Sequence, residues 1–238
     1  MKKKIIFKNV SLTFDLKKNY KKNRSGQIII NSPIDKNILG EKIIALNKIN
    51  IELEEENIYG LYGPNGSGKS CFLKLLAKIN YPSSGNIQIP FEAVFLGTNQ
   101  FSFEPRATGE ENSKLYLKLK NIKDTQINEK LDKIRQTSEL GEFFYQQVQI
   151  YSSGMLIRLA FACSQMLYSE SLLMDEWVST ADTSMREYIY KSVKNKIENS
   201  KITVIASHNI EVLKNHCSKI IFFKNGQIEE IKDIQNEF

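Results

Sequence analysis

Long apolar runs are what this sequence lacks. Stretches such as residues 28–30 and 220–223 are strand-sized, far short of the ~20 apolar residues that a membrane-crossing helix needs. The start, MKKKIIF, is basic and then apolar, but the apolar part breaks at Lys8 and Asn9. That is too short for a signal peptide, so the chain is expected to stay in the cytoplasm. Cysteine is also scarce. Cys71, Cys163 and Cys217 are scattered without metal-ligand spacing, which fits a reducing compartment. Cys71 and Cys163 fall in apolar helical patterns and read as small core residues. Internal repeats and low-complexity tracts are missing. Neither sign of charge dominates: 33 basic against 27 acidic residues give a net charge of +6. The basic clusters are residues 2–4 and 17–24. The second is polar and reads as a solvated insertion, or as a surface facing anionic lipid head groups. No nucleic-acid motif accompanies the charge, so no nucleic-acid partner is expected.

What is present is enough for a core. Hydrophobic residues make up 41% of 238 positions, which suits one large domain or a domain with a small lobe. Residues 4–14 and 43–53 alternate as strands do, with a polar insertion over residues 16–41 between them. Short strands are expected at 87–89 and 93–96 after a turn at 82–85. Residues 108–140 read as helical and highly charged, 155–167 as an apolar helix, and 172–174 as a buried strand. A helix over 182–198, a strand over 202–206 and a helix over 209–216 follow. Residues 220–223 and 227–231 bracket Asn225-Gly226, a strong hairpin signal. Strands alternating with helices imply a parallel sheet. The charged helical block over 102–170 interrupts that alternation and should form its own lobe.

Residues 63–70 read GPNGSGKS, which fits the phosphate-binding loop G-x-x-x-x-G-K-[ST]. Successive backbone N–H groups can wrap a triphosphate only where side chains stay out of the way. Gly63, Gly66 and Gly68 supply that freedom, with Pro64, Asn65 and Ser67 completing the loop. Lys69 can reach the outer phosphates, and the Ser70 hydroxyl can ligate Mg²⁺. A Gly-rich turn with an incidental Lys-Ser would share these letters but not their flanks. Here an apolar run, IYGLY, precedes the loop, and Phe72, Leu73, Leu75, Leu76 and Ile79 follow at helical spacing. Strand, loop and helix place phosphates at a helix N-terminus.

Residues 171–176, SLLMDE, form an apolar strand ending in two carboxylates. Asp175 is suited to hold Mg²⁺, and Glu176 to accept a proton from an attacking water. Just upstream, YSSGM (151–155) precedes a helix with Leu156, Leu159, Phe161, Ala162 and Met166 on its apolar positions. Ser152 and Gly154 sit where a helix N-terminus could present a hydroxyl and N–H groups to an anion.

This ordered set, GPNGSGKS, YSSGM, LLMDE and a lone His208 after a strand, resembles the nucleotide-binding subunit of an ABC transporter. The resemblance implies an α/β fold, a P-loop NTPase ABC cassette with a RecA-like parallel-sheet core, an antiparallel β subdomain and a helical subdomain. It makes residues 1–238 a single ATPase domain: an N-terminal β region to about residue 60, the insertion 16–41, the helical lobe 102–170 and the catalytic core. YSSGM stands where the family has its LSGGQ-type signature, with Ser153 and Met155 departing from it. That departure, the segment FEPRATGEEN (103–112), Asp175-Glu176-Trp177 and the polar insertion are similar to the branch that exports capsule, O-antigen and teichoic acid.

The resemblance further implies ATP and Mg²⁺ as ligands. Residues 63–70 with Cys71, and Ser152, Ser153, Gly154, Met155 and Asp182 would contact nucleotide. Lys69, Glu176 and His208 would act in catalysis. Ser70, Asp175 and Gln100 would serve the metal, with Asn99 competing for the role of Gln100. Phe14 or Tyr20 would stack on adenine, and His216 would be surface helix. Two copies would bind head to tail with two ATP molecules between them. A separate membrane permease would form the path, touching the lobe near residues 100–112. The cassette would lie on the cytoplasmic face of the bacterial inner membrane. Some members of the branch carry a carbohydrate-binding domain after the cassette. With the sequence ending at Phe238, glycan recognition is expected to rest with the permease or elsewhere. Exporters of lipids or drugs are the runner-up, followed by non-transport ABC ATPases of DNA repair or translation. A plain phosphate-loop kinase or GTPase would lack YSSGM and Glu176.

Overall fold

Residues 4–15 alternate buried and exposed side chains along most of their length, and that alternation becomes one face of a sheet. A computed structural model describes residues 3–15, 38–39, 42–97, 103–175, 194 and 197–234. Strands β1 (Lys4–Asp15), β2 (Ile38–Leu39), β3 (Lys42–Glu54), β4 (Asn57–Tyr62), β5 (Ser84–Gln88) and β6 (Ala93–Gly97) come first. They are followed by β7 (Ser171–Asp175), β8 (Ile202–Ser207), β9 (Lys219–Lys224) and β10 (Gln227–Asp233). Two sheets result. One is antiparallel, in the order β2-β3-β1-β5; the other runs β10-β9-β4-β8-β7-β6. In the second, every pairing is parallel except the β9–β10 hairpin. Its central strands are buried on both faces, which is why β7 and β8 read as continuous apolar runs rather than alternating ones.

Helix α1 (Lys69–Leu76) lies between the sheets. Its Phe72, Leu73, Leu75 and Leu76 pack with Phe7, Leu53, Leu61, Val204 and Phe223 in one core. The Phe72 ring sits 4.8 Å from Phe7 and 5.3 Å from Phe223, centroid to centroid. The helix stops short of Ile79, which the sequence pattern had placed on its apolar stripe. Lys78 turns left-handed at φ 56, and the N–H groups of Ile79 and Asn80 fold back onto the Lys74 carbonyl. Ile79 is therefore half exposed.

The opposite face of the parallel sheet carries a second core. Leu172 and Met174 of β7, Ile205 of β8 and Ile220 of β9 meet Leu213 of α5 (Ile210–His216) and Phe161 of α4 (Ser153–Gln165). The helical block expected over 108–140 is two helices, α2 (Gly109–Leu119) and α3 (Asp124–Ser138). Asn121 at φ 56 separates them. They build a third core from Leu117, Ile127, Leu131 and Ile134 against Leu159, Ala162 and Cys163 of α4. Helix α4 therefore contributes to two cores, with Phe161 and Ala162 facing different ones. Cys163 and Cys217 are buried, as small core residues are, whereas Cys71 is half-buried. Among the described residues no helix is long and apolar enough to cross a membrane.

Candidate functional site

Strand β4 delivers the chain into residues 63–68, and α1 begins at Lys69 with Gly68 as its N-cap at φ 109. A side chain at Gly68 would press on the Leu46 side chain at 2.8 Å and the Ala45 carbonyl at 2.9 Å. At Gly63 it would overlap the Phe223 carbonyl oxygen. The loop is closed by its own lysine: Lys69 Nζ donates to the carbonyls of Gly63 (2.7 Å) and Pro64 (3.1 Å). Lys69 is only 5% exposed, so its charge is partly desolvated and weakly screened by water. The Ser67 hydroxyl is buried without a hydrogen-bond partner, which costs on the order of 1–3 kcal/mol. A phosphate oxygen lodged in the loop fits that orphaned donor.

Two of the three metal candidates meet. Ser70 Oγ donates to Asp175 Oδ1 at 3.0 Å. The register explains how. Asp175, the last residue of β7, pairs with Ala206, and Ser207 pairs with Tyr62. The C-terminal ends of β7, β8 and β4 thus reach the same edge, where open α/β sheets bind ligands. A hydroxyl and a carboxylate suit Mg²⁺, which takes one or two protein oxygens and completes its shell with phosphates and water. His208 follows β8 at this edge and is exposed. The turn that carries it is pinned on both sides. Asn209 N–H donates to Ser207 Oγ (3.0 Å), and Asn209 Oδ1 caps α5 by accepting from Glu211 N–H (2.9 Å).

Beside the loop lies a cavity of about 440 Å³, walled by Phe14 and residues 43–45 on one side and residues 65–71 on the other. Phe14 is 43% exposed at its rim, well placed to stack on a flat ring. Cys71 also lines it, and burial pushes its thiol above the ordinary range.

Ser152 to Met155 do not line this cavity. They sit on the helical lobe at the start of α4, where Ser152 Oγ accepts from Met155 N–H at 3.3 Å as the N-cap. Ser152 and Ser153 are exposed, Gly154 and Met155 half-buried. Tyr151, the first letter of the same pentapeptide, turns inward into the lobe core. The segment 103–112 is tied internally. Thr108 and Glu111 form a reciprocal capping box. Buried Asn112 accepts from Glu104 N–H (2.7 Å) and donates to the carbonyls of Glu104, Ala107 and Thr108. Glu176, Asp182, Gln100, Asn99 and Tyr20 lie outside the described residues.

A sequence profile described as ABC transporter matches residues 46–179, which takes in the loop, the pentapeptide and Asp175. The chain belongs to the ABC transporter family. The cassette is 32% identical over 236 residues to the O-antigen export system ATP-binding protein RfbE of Yersinia enterocolitica, covering 97% of this chain and 98% of that one. It is 33% identical over 196 residues to the teichoic acids export ATP-binding protein TagH of Bacillus anthracis. That match covers 82% of this chain, which spans only 36% of the longer relative. Among solved structures, the dimeric ATP-binding cassette MJ0796 bound to ADP and Pi superposes with a TM-score of 0.76. It is 22% identical over 98% of this chain and 99% of that one. The fold is thus that of an ABC ATPase: a RecA-like parallel sheet, an antiparallel sheet and a helical lobe. As an ABC ATPase the cassette binds ATP.

One contact was not legible beforehand. Gly226, in the hairpin tip, donates its N–H to the Ser67 carbonyl at 3.0 Å. The dipeptide Asn225-Gly226 announced a turn, but no spacing rule joins residue 226 to residue 67.

Proposed function

We propose that this cassette powers export of a cell-surface polysaccharide through a separate membrane permease, working as a head-to-tail pair with ATP between the copies. The observation that carries the substrate class is the end-to-end similarity to an O-antigen export ATP-binding protein, reinforced by the teichoic acid relative. What supports the pairing is the division of the site: the loop and Ser70–Asp175 on one surface, Ser152 to Met155 on a lobe that does not reach the same cavity. A second copy would bring its Ser152 to the first copy's loop.

In this reading Gly63 to Ser70 and Cys71 cradle the phosphates through backbone N–H groups, and Lys69 turns from its two carbonyls to the outer phosphates. Phe14 stacks on the base. Ser70 and Asp175 hold Mg²⁺, which when bound neutralises charge building up on the phosphates. Gln100 would join that shell. Glu176 accepts a proton from water, and His208 contacts the terminal phosphate from the adjacent strand end. Ser152, Ser153, Gly154 and Met155 of one copy, with Asp182, close the site of the other. Loss of the terminal phosphate removes a bridge that both copies touch, so the pair opens. That motion passes to the permease through the lobe near residues 100–112, at the cytoplasmic face of the membrane.

The test is made in the cell that carries the gene. Replacing the chain by its Lys69→Ala form should strip polysaccharide from the surface and leave lipid-linked glycan inside. An unchanged surface glycan, with a drug or lipid retained instead, would overturn the substrate assignment.

A further inference from the structure

The tip of the β9–β10 hairpin is seated under the phosphate loop. Asn225 and Gly226 are both left-handed, at φ 49 and 74, as a two-residue hairpin turn requires. Gly226 N–H donates to the Ser67 carbonyl at 3.0 Å, and its own carbonyl accepts from Asn47 N–H at 2.8 Å. The approach leaves no space: a Cβ on Gly226 would lie 2.8 Å from the Ala45 carbonyl oxygen and 3.3 Å from Leu46 Cα. The hairpin also reaches the loop's other end, since the Phe223 carbonyl fills the space where a Gly63 side chain would stand.

We propose that Gly226 is a positioning residue for phosphate binding. The Ser67 carbonyl and the Gly68 N–H belong to one peptide unit, which is planar and trans, so the two groups point in opposite directions. Anchoring the carbonyl to Gly226 aims the Gly68 N–H away from the hairpin, toward the phosphates of a bound nucleotide. A loop with glycine at 63, 66 and 68 has few side chains to restrain it. Without an anchor it would lose more conformational entropy on binding. The hairpin supplies the restraint from outside the loop. This inference rests on the reading of residues 63–70 as the ATP phosphate loop.

The test compares Mg·ATP dissociation constants by calorimetry, well below the melting temperature, for the full chain, Gly226→Ala and Asn225→Gly. Gly226→Ala displaces the tip and should weaken binding about tenfold, the scale of one lost hydrogen bond. Asn225→Gly keeps the turn and should bind within about twofold of the parent. A Gly226→Ala chain that melts lower yet binds Mg·ATP as tightly as the parent would show that the hairpin serves the fold alone, and would overturn the proposal. Should Gly226→Ala fail to fold, a chain joined chemically at Cys217 can carry an ester in place of the Gly226 amide. That change replaces the one N–H by an oxygen and leaves every side chain as it is. The same weakening is expected, and unchanged affinity again overturns the proposal. If the parent chain itself binds no Mg·ATP, the phosphate-loop reading falls and takes this one with it. Binding by the parent and equal binding by the altered chains removes only the role of Gly226.

Discussion

Ser70 and Asp175 are 105 residues apart in sequence and 3.0 Å apart in space, hydroxyl to carboxylate. This pairing fixes the first expectation. Asp175→Asn keeps the shape and the hydrogen bond but removes the charge that attracts Mg²⁺. Affinity for ATP should then be the same with Mg²⁺ as with a chelator present, while the parent binds Mg·ATP on the order of tenfold more tightly. Retained metal dependence in the variant would place the metal elsewhere.

Lys69 is buried against the carbonyls of Gly63 and Pro64. Lys69→Ala should lower ATP turnover by at least about a hundredfold, the scale seen when one charge-stabilising group is removed. Phosphate release by the purified chain measures it. Turnover near the parent's would mean the loop is misread.

Glu176→Gln should bind ATP, fail to hydrolyse it and accumulate as a pair. Size-exclusion chromatography with and without ATP reads this directly. A variant that stays single under conditions where the parent pairs would remove Glu176 from the role of base.

Ser152 caps α4, so replacing it blindly confuses a lost cap, worth about 1 kcal/mol, with a lost contact across the pair. Ser152→Asp separates the two: the carboxylate still caps, but it repels a phosphate. Hydrolysis should fall while nucleotide binding by one chain stays intact. Loss of single-chain binding would argue that Ser152 does not act across the interface.

The cysteines divide by environment. Burial pushes the Cys163 and Cys217 thiols up to about 12, so both should ignore a maleimide in the folded protein. Cys71 is half-buried on the cavity wall, its thiol also raised but accessible. The thiolate is the reactive form. With the pKa raised, its fraction still climbs about tenfold per unit between pH 7 and 9. One thiol should therefore react, faster as pH rises, and ATP should protect it. Mass spectrometry of the labelled peptide decides.

Much of the site was legible because its signals are local. GPNGSGKS demands glycines, and the structure then shows Gly63 and Gly68 to be crowded and Gly66 to stand left-handed at φ 79, while SLLMD is apolar because β7 is covered on both faces. The Asn225-Gly226 turn was equally plain, since only small or polar residues tolerate two left-handed positions in a row. Elsewhere the residues reveal the character of an element but not its limits. The charged stretch over 108–140 carries a helical pattern throughout, yet the left-handed Asn121 and the extended Lys123 divide it. Ile79 kept the helical period after Lys78 had already ended the helix. Contacts made by backbone atoms, such as Gly226 with Ser67, leave no trace in side-chain identity. The segment 103–112, read as a mark of one family branch, has a local reason for its letters in the bonds of Thr108, Glu111 and Asn112.

Phe161 and Ala162 are neighbours on α4, yet one packs beneath the parallel sheet and the other inside the lobe. A helix shared in this way leaves no weak seam along which heat could peel the lobe from the sheet. Melting either core strips α4 from the other, so the two should be lost together in one cooperative transition. The lobe cannot be trimmed off as an independent module, and the helix that carries Ser152 stays ordered for as long as the sheet does.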